Sequence, residues 1–576
     1  MHKRWVLQSI KDAEKIETIS TGLGTPCALS KLLVSRSIET FSAAKAFFRP
    51  SLEMLHDPFC MKGMGQAVER LMDALFIKKE KILVYGDYDV DGTTAVSMVY
   101  GFLAALPGAN VTYYIPDRMT EGYGVSLQAI EQARHDGVKL VVTLDCGIKA
   151  YDPIARAVES GIDVIVCDHH HVGDLLPPAY AILNPKQTDC AYPFAELSGC
   201  GIGFKLLQAF CQKTGRDLQE LYPYLDLVAV STACDLVPLI DENRIITYHG
   251  LKQLERAPRP GLHALLQLGG LTAPLTISDI VFKIGPRINA AGRISHAALA
   301  VELLMEKDFV QAQRLACLID RQNCMRKELD ETITQEALAT IARIEQKRPR
   351  KSHVLFNENW HKGIVGIVAS RCIEQYHRPT IVLTLSNGKA TGSARSIPGY
   401  NIYEAIVSCG ALLHQYGGHA CAAGLTLSVE NVWLFQEKFE QVVQNTLEDG
   451  LLIPQQMIHS ILSFPCITPK FVSILLQIAP FGSGNPTPVF ASNKVYVHTY
   501  RVLKGLHLRL ELYQADCTER YTAIGFGLAQ HEALVASGKP LSIAYSIGYN
   551  VYLGNRSIQL VVRDIKSDEQ TVAFFA

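Results

Sequence analysis

A chain of 576 residues is long enough for three or four domains, each able to bury a core of its own. Its 55 basic and 56 acidic side chains leave a formal net charge of -1, so no global field draws in a polyanion and a nucleic acid would need a local basic groove. Apolar residues at 48% and charged residues at 19% exclude a disordered or tail-like chain and fit a globular one.

Residues 1 to about 78 read as mostly helical. The stretch 65–77 puts Val68, Leu71, Met72, Leu75 and Phe76 on one face, as a lead-in that packs on the domain after it. From Lys81 the pattern changes to strands alternating with helices, which implies a parallel, doubly wound sheet with helices on both faces. The strand segments are 82–85, 111–115, 139–144 and 163–167, and the helices between them lie near 93–106, 127–135 and 151–159.

The first strand runs into KILVYGDYDVDG, with Asp87, Asp89 and Asp91 at alternate positions. Three carboxylates that close repel one another unless cations neutralise them. An EF-hand is excluded, because position twelve of such a loop is Met98 here rather than Glu, and a strand leads in rather than a helix. Alone, the stretch reads equally as a divalent-metal site or a solvated acidic turn. The other strand ends decide between them. Asp117, Arg118 and EGYG follow the second strand, Asp145-Cys-Gly the third, and Asp168-His169-His170 the fourth. Sheets of this kind bind ligands beyond the carboxyl ends of their strands. Asp235, interrupting the apolar run VSTACDLVPL, joins the set; alone it would read as a helix-end carboxylate. Oxygen and imidazole donors without thiolates suit Mn²⁺ or Mg²⁺ rather than structural zinc.

GDYDVDG, Arg118 with EGYG, LDCGI and the triplet at 168–170, in that order, resemble the DHH phosphoesterase superfamily, and within it the exonucleases that act on single strands. SGCGIGFK (198–205), ACDLVPL and GPRINAAGR (285–293) are similar to the later catalytic motifs. WHKGIVGIVASR (360–371), GSARS (392–396) and YGGHACAAG (416–424) resemble the DHH-associated domain, and APFGSGNPTPVF (479–490) the entry to an OB-fold. Val90 stands where the family usually has alanine, and His171 extends the triplet; neither change removes a ligand.

The resemblance implies an α/β multidomain chain: a helical lead-in at 1–78, a parallel doubly wound DHH domain at 79–295, a helical connector at 296–350, a smaller α/β DHH-associated domain at 351–450 and a C-terminal β-barrel (OB-fold) at 451–576. It implies 5′→3′ hydrolysis of single-stranded DNA to mononucleotides in recombination and repair, with two Mn²⁺ or Mg²⁺ ions. Asp87, Asp89, Asp91, Asp145, Asp168, His169 and Asp235 are the candidate metal residues, with Asp87 and Asp168 able to act from behind the ligands. His170, Arg118 and Asp145 are the candidate catalytic residues. Arg118, Arg293, Ser393, Arg395, Gly418 and His419 are the candidates for binding phosphate. A helicase and a single-strand-binding protein are the implied partners. Two rivals are a DHH phosphodiesterase for nanoRNA or cyclic dinucleotides, against which a C-terminal barrel argues, and a non-catalytic repair scaffold, which should have lost ligands.

Residues 309 to 346 keep a helical apolar period without Gly or Pro, and read as one strut of roughly 50 to 60 Å or as two helices broken near Asn323. The cluster KRPRK (347–351) is a solvated face or the flank of a DNA path. In 353–445 the pattern returns to α/β, with Ser393 and Arg395 expected in a loop after a strand and Gly417-Gly418-His419 opening another; phosphate loops and plain turns both fit. From about 490, short strands predict a small barrel. Its Tyr513, Tyr521, Tyr545, Tyr549 and Tyr552, with Arg501, Lys504, Arg509 and Arg556, would stack bases and hold phosphates, or else pack. Fifteen cysteines without C-x-x-C spacing, several in apolar runs, indicate reduced thiols and a cytoplasmic protein. The N-terminus lacks a signal-peptide core, and no run predicts a membrane span.

Overall fold

The apolar run at 82–85 forms the strand Lys81–Gly86 at the heart of a five-stranded parallel sheet. Across the sheet the order is Val111–Tyr114, Lys81–Gly86, Val138–Leu144, Asp163–Cys167 and Ala181–Leu183. Ile82, Val84, Leu140 and Val142 enter one apolar cluster, whereas Leu83, Tyr85 and Val141 enter another. Alternation at period two therefore buries both faces of the sheet. The order reverses between Lys81–Gly86 and Val138–Leu144, which makes the carboxyl ends of these two strands the topological switch point. The fifth strand, Ala181–Leu183, was not foreseen; three residues carry too little pattern to distinguish a strand from a loop.

The structure is a computed structural model and describes residues 3–9, 12–515, 517–552, 554–571 and 574, with Tyr552 described in its backbone alone. It divides into two compact units. One comprises Leu52–Leu452 with Gly482–Gly484; the other comprises Met1–Ser51, Ile453–Phe481 and Asn485–Ala576. This corrects the reading of residues 1 to 78 as a single lead-in. Arg4–Leu7 is a strand, parallel to Gln455–Ile458, and Leu29 and Leu32 of the helix Cys27–Val34 are buried with Phe464 and Phe471. Only from Leu52 does the segment belong with the parallel sheet, where Val68 and Leu71 join its core.

In the larger unit, residues 309–347 form one unbroken helix, Phe309–Lys347, of 39 residues and about 58 Å. Its N-cap Asp308 accepts a hydrogen bond from the Gln311 N–H at 2.8 Å. Ala312, Ala316 and Ile319 pack into the core of the parallel sheet, while Ile333, Ala337 and Ile341 pack with Val365 and Val368 of the helix Val365–Tyr376. Near the expected break, Asn323 is buried instead of breaking the helix, and its Oδ1 accepts from Arg326 Nη2 at 2.7 Å. A second, mixed sheet follows, ordered Gln415–His419, Ala422–Leu427, Lys389–Arg395, Thr380–Ser386 and His353–Phe356.

The smaller unit closes five strands into a barrel: Phe490–Leu503, His507–Gln514, Arg520–Gly525, Asn555–Ser567 and Leu541–Tyr552, the last pairing back to the first. Two of the candidate base platforms are packing residues. Tyr545 is fully buried with its hydroxyl 2.8 Å from Ser492 Oγ, and the buried Tyr521 hydroxyl donates to the Ile467 carbonyl at 2.9 Å. Tyr513 stacks on Tyr496, and the Arg556 guanidinium lies 3.6 Å from the Tyr549 ring centroid. The Tyr552 side chain lies outside the described residues. All fifteen cysteines are unpaired, with Cys146 and Cys167 buried and Cys234 half-buried. Among the described residues no helix is long and apolar enough to cross a membrane.

Candidate active site

The acidic stretch is a strand-to-helix turn. Asp87 follows the strand directly, and Asp89 caps the helix Val90–Ala104, its Oδ1 accepting from the Gly92 N–H at 3.1 Å. Gly92 is required here, since a Cβ would stand 2.4 Å from the Asp87 carbonyl oxygen. Asp91, in the first turn, is buried and held by three donors: the Gly199 N–H at 2.6 Å, the Cys200 N–H at 2.8 Å and Ser231 Oγ at 2.6 Å. The two N–H groups open the helix Gly199–Thr214, so its positive end faces the carboxylate. Ser198 Oγ lies 2.6 Å from Ser231 Oγ and completes the brace.

Asp145 ends the strand Val138–Leu144 in the left-handed region at φ 62°, which costs a non-glycine residue about 1–2 kcal/mol. Its N–H donates to the Cys167 carbonyl at 2.9 Å, and Gly199 packs so closely that a Cβ there would lie 2.6 Å from Asp145 Cβ. The strained turn aims the carboxylate at the triplet: Asp145 Oδ1 is 3.1 Å from His169 Nε2. The same nitrogen is 3.7 Å from Asp91 Oδ2 and 3.6 Å from Asp235 Oδ2. Asp235 is indeed a helix-end residue, the C-cap of Leu225–Cys234, and it also joins the cluster.

Among the described residues, ligand-type atoms therefore converge in three overlapping groups: Asp87, Asp89 and Asp145; Asp91, His169 and Asp235; and Asp145, His169 and His170. Asp168 is in none of them. It accepts instead from the Ile148 N–H at 2.9 Å and the His170 N–H at 3.0 Å, and its Oδ1 is 2.8 Å from His170 Nδ1. The Tyr123 hydroxyl sits 3.1 Å from the same ring and donates to the Asp145 carbonyl at 3.1 Å.

The electrostatics follow this division. Burial, and then the neighbouring carboxylates, push Asp87, Asp89, Asp145 and Asp235 above the usual carboxylate range. Burial would also raise Asp168, but the hydrogen bond and charge of His170 bring it down to about 2. His169, desolvated, falls to about 4 and is neutral near pH 7, with a ring nitrogen free to accept or to coordinate. Burial opposes protonation of His170 too, yet Asp168 raises it. Asp87 Oδ1 and His169 Nδ1 are buried without a hydrogen-bond partner. Carboxylates that face one another around a single imidazole nitrogen, His169 Nε2, fit a divalent cation of the Mn²⁺ or Mg²⁺ kind.

The basic side of the site comes from a turn, a helix and the mixed sheet. Arg118 lies over the Tyr88 ring, 4.8 Å from its centroid, and Arg293 donates to the Gly363 carbonyl at 2.9 Å. Arg395 and Ser393 lie within the strand Lys389–Arg395, not in a loop after it, and Gly417, Gly418 and His419 lie in the edge strand Gln415–His419. Glycine, serine and alanine have weak strand preference, and ladder bonds from both neighbours override it. Gly392 is needed there because a Cβ would stand 1.9 Å from the Val382 carbonyl oxygen. Arg395 Nη1 donates to Ser393 Oγ at 2.6 Å, and its other end lies over Gly366, where a Cβ would be 3.0 Å from Nη2. Burial and then the charge of Arg118 lower Arg395. Burial and then Arg118, Arg326 and Arg395 lower Arg293 to about 9, so these guanidiniums form one positive field. Tyr123, Lys149, Asp168 and His170 face Gly418 and His419 across a cleft of about 580 Å³, and the His171 and His419 rings are 5.3 Å apart.

Sequence reasoning missed Ser231, Tyr123 as a partner of His170, and Lys186. Ser231 stands four residues before Asp235 on one helix face, a spacing that could have revealed it. Lys186 has no such signal; its backbone N–H donates to Asn184 Oδ1 at 2.8 Å, and Asn184 Nδ2 donates to the His170 carbonyl at 2.9 Å.

Known proteins resemble this chain in sequence and fold. The DHH family, N-terminal domain model matches residues 81–232, the DHHA1 domain model residues 350–445 and the RecJ OB domain model residues 458–564. The single-stranded-DNA-specific exonuclease RecJ of Bacillus subtilis (strain 168) is 36% identical over 575 residues, spanning 98% of this chain and 71% of that protein. The protein of the same name from Salmonella typhimurium is 32% identical over 576 residues, spanning 97% and 99%. The crystal structure of RecJ in complex with Mn²⁺ from Thermus thermophilus matches with a TM-score of 0.84 and 27% identity, over 98% of this chain and 79% of that one. The chain belongs to the RecJ family of single-stranded-DNA-specific exonucleases.

Proposed function

We propose that the chain is a metal-dependent exonuclease that degrades single-stranded DNA from its 5′ end to mononucleotides, in recombination and repair. The observation that carries this reading is the meeting of Asp89, Asp91, Asp145, His169 and Asp235 at the switch point of the parallel sheet. Divalent cations held there, two in our reading, would supply a water of lowered pKa and Lewis-acid stabilisation of charge on the phosphoryl group.

The chain's own groups do the rest. Asp89, Asp91, Asp145, His169 and Asp235 are the direct ligands, and Asp87 supports them from the same turn. Asp168 holds His170 in its charged form, so that its ring donates to a phosphoryl oxygen. Arg118 and Arg293 add donors from the same domain. Ser393, Arg395, Gly418 and His419 hold the 5′-terminal phosphate on the opposite wall, which gives the strand its direction. Delivery of the strand by a helicase, its coating by a single-strand-binding protein and a cytoplasmic setting belong to the same reading.

Digestion of strands labelled at the 5′ or the 3′ end, with EDTA and then with Mn²⁺ or Mg²⁺ restored, tests it. Expected are labelled mononucleotides released at once from the 5′ label, only with metal. Early release from the 3′ label would reverse the polarity. Preference for a cyclic dinucleotide over a strand would replace the substrate.

A further inference from the structure

Lys186 has a fixed root and a loose tip. It follows the edge strand Ala181–Leu183 of the parallel sheet. Its N–H donates to Asn184 Oδ1 at 2.8 Å, and the fully buried Asn184 donates from Nδ2 to the His170 carbonyl at 2.9 Å. Gln187 Nε2 donates to the Ile182 and Asn184 carbonyls, each at 3.1 Å. The backbone at 182–187 is thereby tied to the Asp168-His169-His170 triplet. The ammonium is held far less well. Its ion-pair carboxylate, Glu196 Oε2, lies 3.5 Å away on a side chain that is 44% exposed, whereas the enclosed pair of Lys205 with Glu242 closes to 2.9 Å. A pair that long and that wet contributes little. The charge of Lys186 also reaches both walls of the site. It acts on His169 and Asp235 in the acid cluster and on His419 in the opposite wall, in each case after burial and other nearby groups.

The reaction read above needs phosphate in two places, the scissile group at the acid cluster and the 5′-terminal group on the opposite wall. Each hydrolysis adds the oxygen of water to phosphorus and breaks the bond from phosphorus to the 3′ oxygen of the departing nucleotide, which takes the proton. The strand left behind then carries a new 5′-phosphate at the acid cluster, and the next round requires that group on the Ser393, Arg395, Gly418 and His419 wall. A lysine suits the crossing, because a compact charge on a flexible stem can follow a moving phosphate, whereas the planar fork of arginine favours one geometry. We propose that Lys186 hands the phosphate over: its ammonium leaves Glu196, binds the 5′-phosphate newly made at the acid cluster and steadies it until the opposite wall takes it. Several nucleotides then leave in one encounter with the strand. The hand-over rests on the exonuclease reading above and adds a residue for translocation to it.

Digestion limited to one encounter tests this. Single strands labelled at the 5′ or the 3′ end are bound to the full chain without metal, and Mn²⁺ is added together with a large excess of unlabelled strand. The 5′ label then reads the first release, and the 3′ label reads how many nucleotides are removed before the strand is lost. Wild type should remove a long run. Lys186→Ala should slow the first release about threefold but shorten the run about tenfold, because a lost phosphate contact shows mainly in dissociation. Lys186→Arg should restore the first release and part of the run, and Glu196→Gln should match wild type. If Lys186→Ala melts early, Lys186→Gln, which keeps most of the stem, is measured in its place. A Lys186→Ala run as long as that of wild type, or a wild type that removes one nucleotide per encounter, would overturn the hand-over. So would a first release lost as severely as the run, which would put Lys186 in the hydrolytic step. An equal shortening by Glu196→Gln would reduce Lys186 to half of an ion pair and overturn it too. Early release of the 3′ label by wild type would instead overturn the exonuclease reading beneath, and the hand-over would fall with it.

Discussion

In the larger unit the parallel sheet carries its candidate metal residues beyond its strand ends, in buried acidic side chains, whereas the mixed sheet carries its candidate phosphate-binding residues inside its strands, among small and basic residues. On the first, Asp87, Asp91 and Asp145 are almost fully buried, and backbone donors and turn geometry fix them. On the second, Ser393 and Arg395 are half-buried, and Gln415–His419 is an exposed edge strand. The acidic half is held by hydrogen bonds and turn geometry, whereas the basic half is more open to solvent. One half should therefore set the rate and the other the affinity.

The largest effect expected from breaking this division is at Asp145. Asp145→Ala should stop digestion by more than the roughly 10–100-fold that losing a group behind the ligands costs, while the strand still binds. The same position tests the repulsion. Burial and then Asp91, Asp89, Asp235 and Asp87 raise this carboxyl. A raised folded pKa means the native state keeps a proton that the unfolded chain has released. Stability therefore falls as pH climbs from the ordinary carboxylate value of about 3.9 through the raised one. In EDTA near neutral pH, Asp145→Asn should then melt at a higher temperature than wild type although it is inactive. An unchanged or lower melting temperature would mean that repulsion is not what the metal relieves.

Next in size is Ser231→Ala, which removes one of three donors to Asp91. Activity at limiting Mn²⁺ should drop about 10–100-fold and recover at high Mn²⁺, with Ser231→Thr close to wild type. A loss that excess metal does not restore would make Ser231 a packing residue only. On the basic half, Arg395→Ala should raise KM about tenfold with little change in kcat, and lower the salt dependence of binding by roughly one phosphate contact. A fall in kcat at unchanged KM would put Arg395 on the rate-setting side and erase the division.

The same contrast explains what was legible in the sequence. Asp145 could be read as a candidate because it stands directly after a predicted strand, and Asp235 because its charge interrupts an apolar run, where burial is costly unless it is paired. Their convergence followed from strand order, since βαβ units deliver every strand end to one edge. Arg395 and His419 were placed in loops because GSARS and YGGHA are poor in β-branched residues, and only the ladders on each side make them strands. Residues 1–51 were assigned to the wrong neighbour because the apolar period of a helix says that it packs, not on what. Asn323 marked no break, since its polar side chain found Arg326 inside the fold.

The smallest effect concerns the two groups that hold His170. Asp168 lies 2.8 Å from it and raises its pKa; Tyr123 touches it from a half-exposed position at 3.1 Å, through a neutral hydroxyl. The contact is long and its tyrosine exposed to water, so it contributes at the low end of the roughly 0.5–1.5 kcal/mol of a hydrogen bond, and Tyr123→Phe should cost about threefold in activity. Because Asp168 remains, the pH at which activity declines on the alkaline side should not move. Asp168→Asn removes the strongest of the groups that raise the His170 pKa, leaving burial opposed only by the weaker pull of Asp91 and Asp89, so that pKa should fall. A histidine with a raised folded pKa is charged below that value and loses the charge as pH rises through it, so the decline should begin at lower pH in Asp168→Asn. If instead Tyr123→Phe shifts the pH profile and Asp168→Asn does not, His170 works as a neutral group positioned by tyrosine, and the charge on the phosphoryl oxygen must be met by the arginines alone.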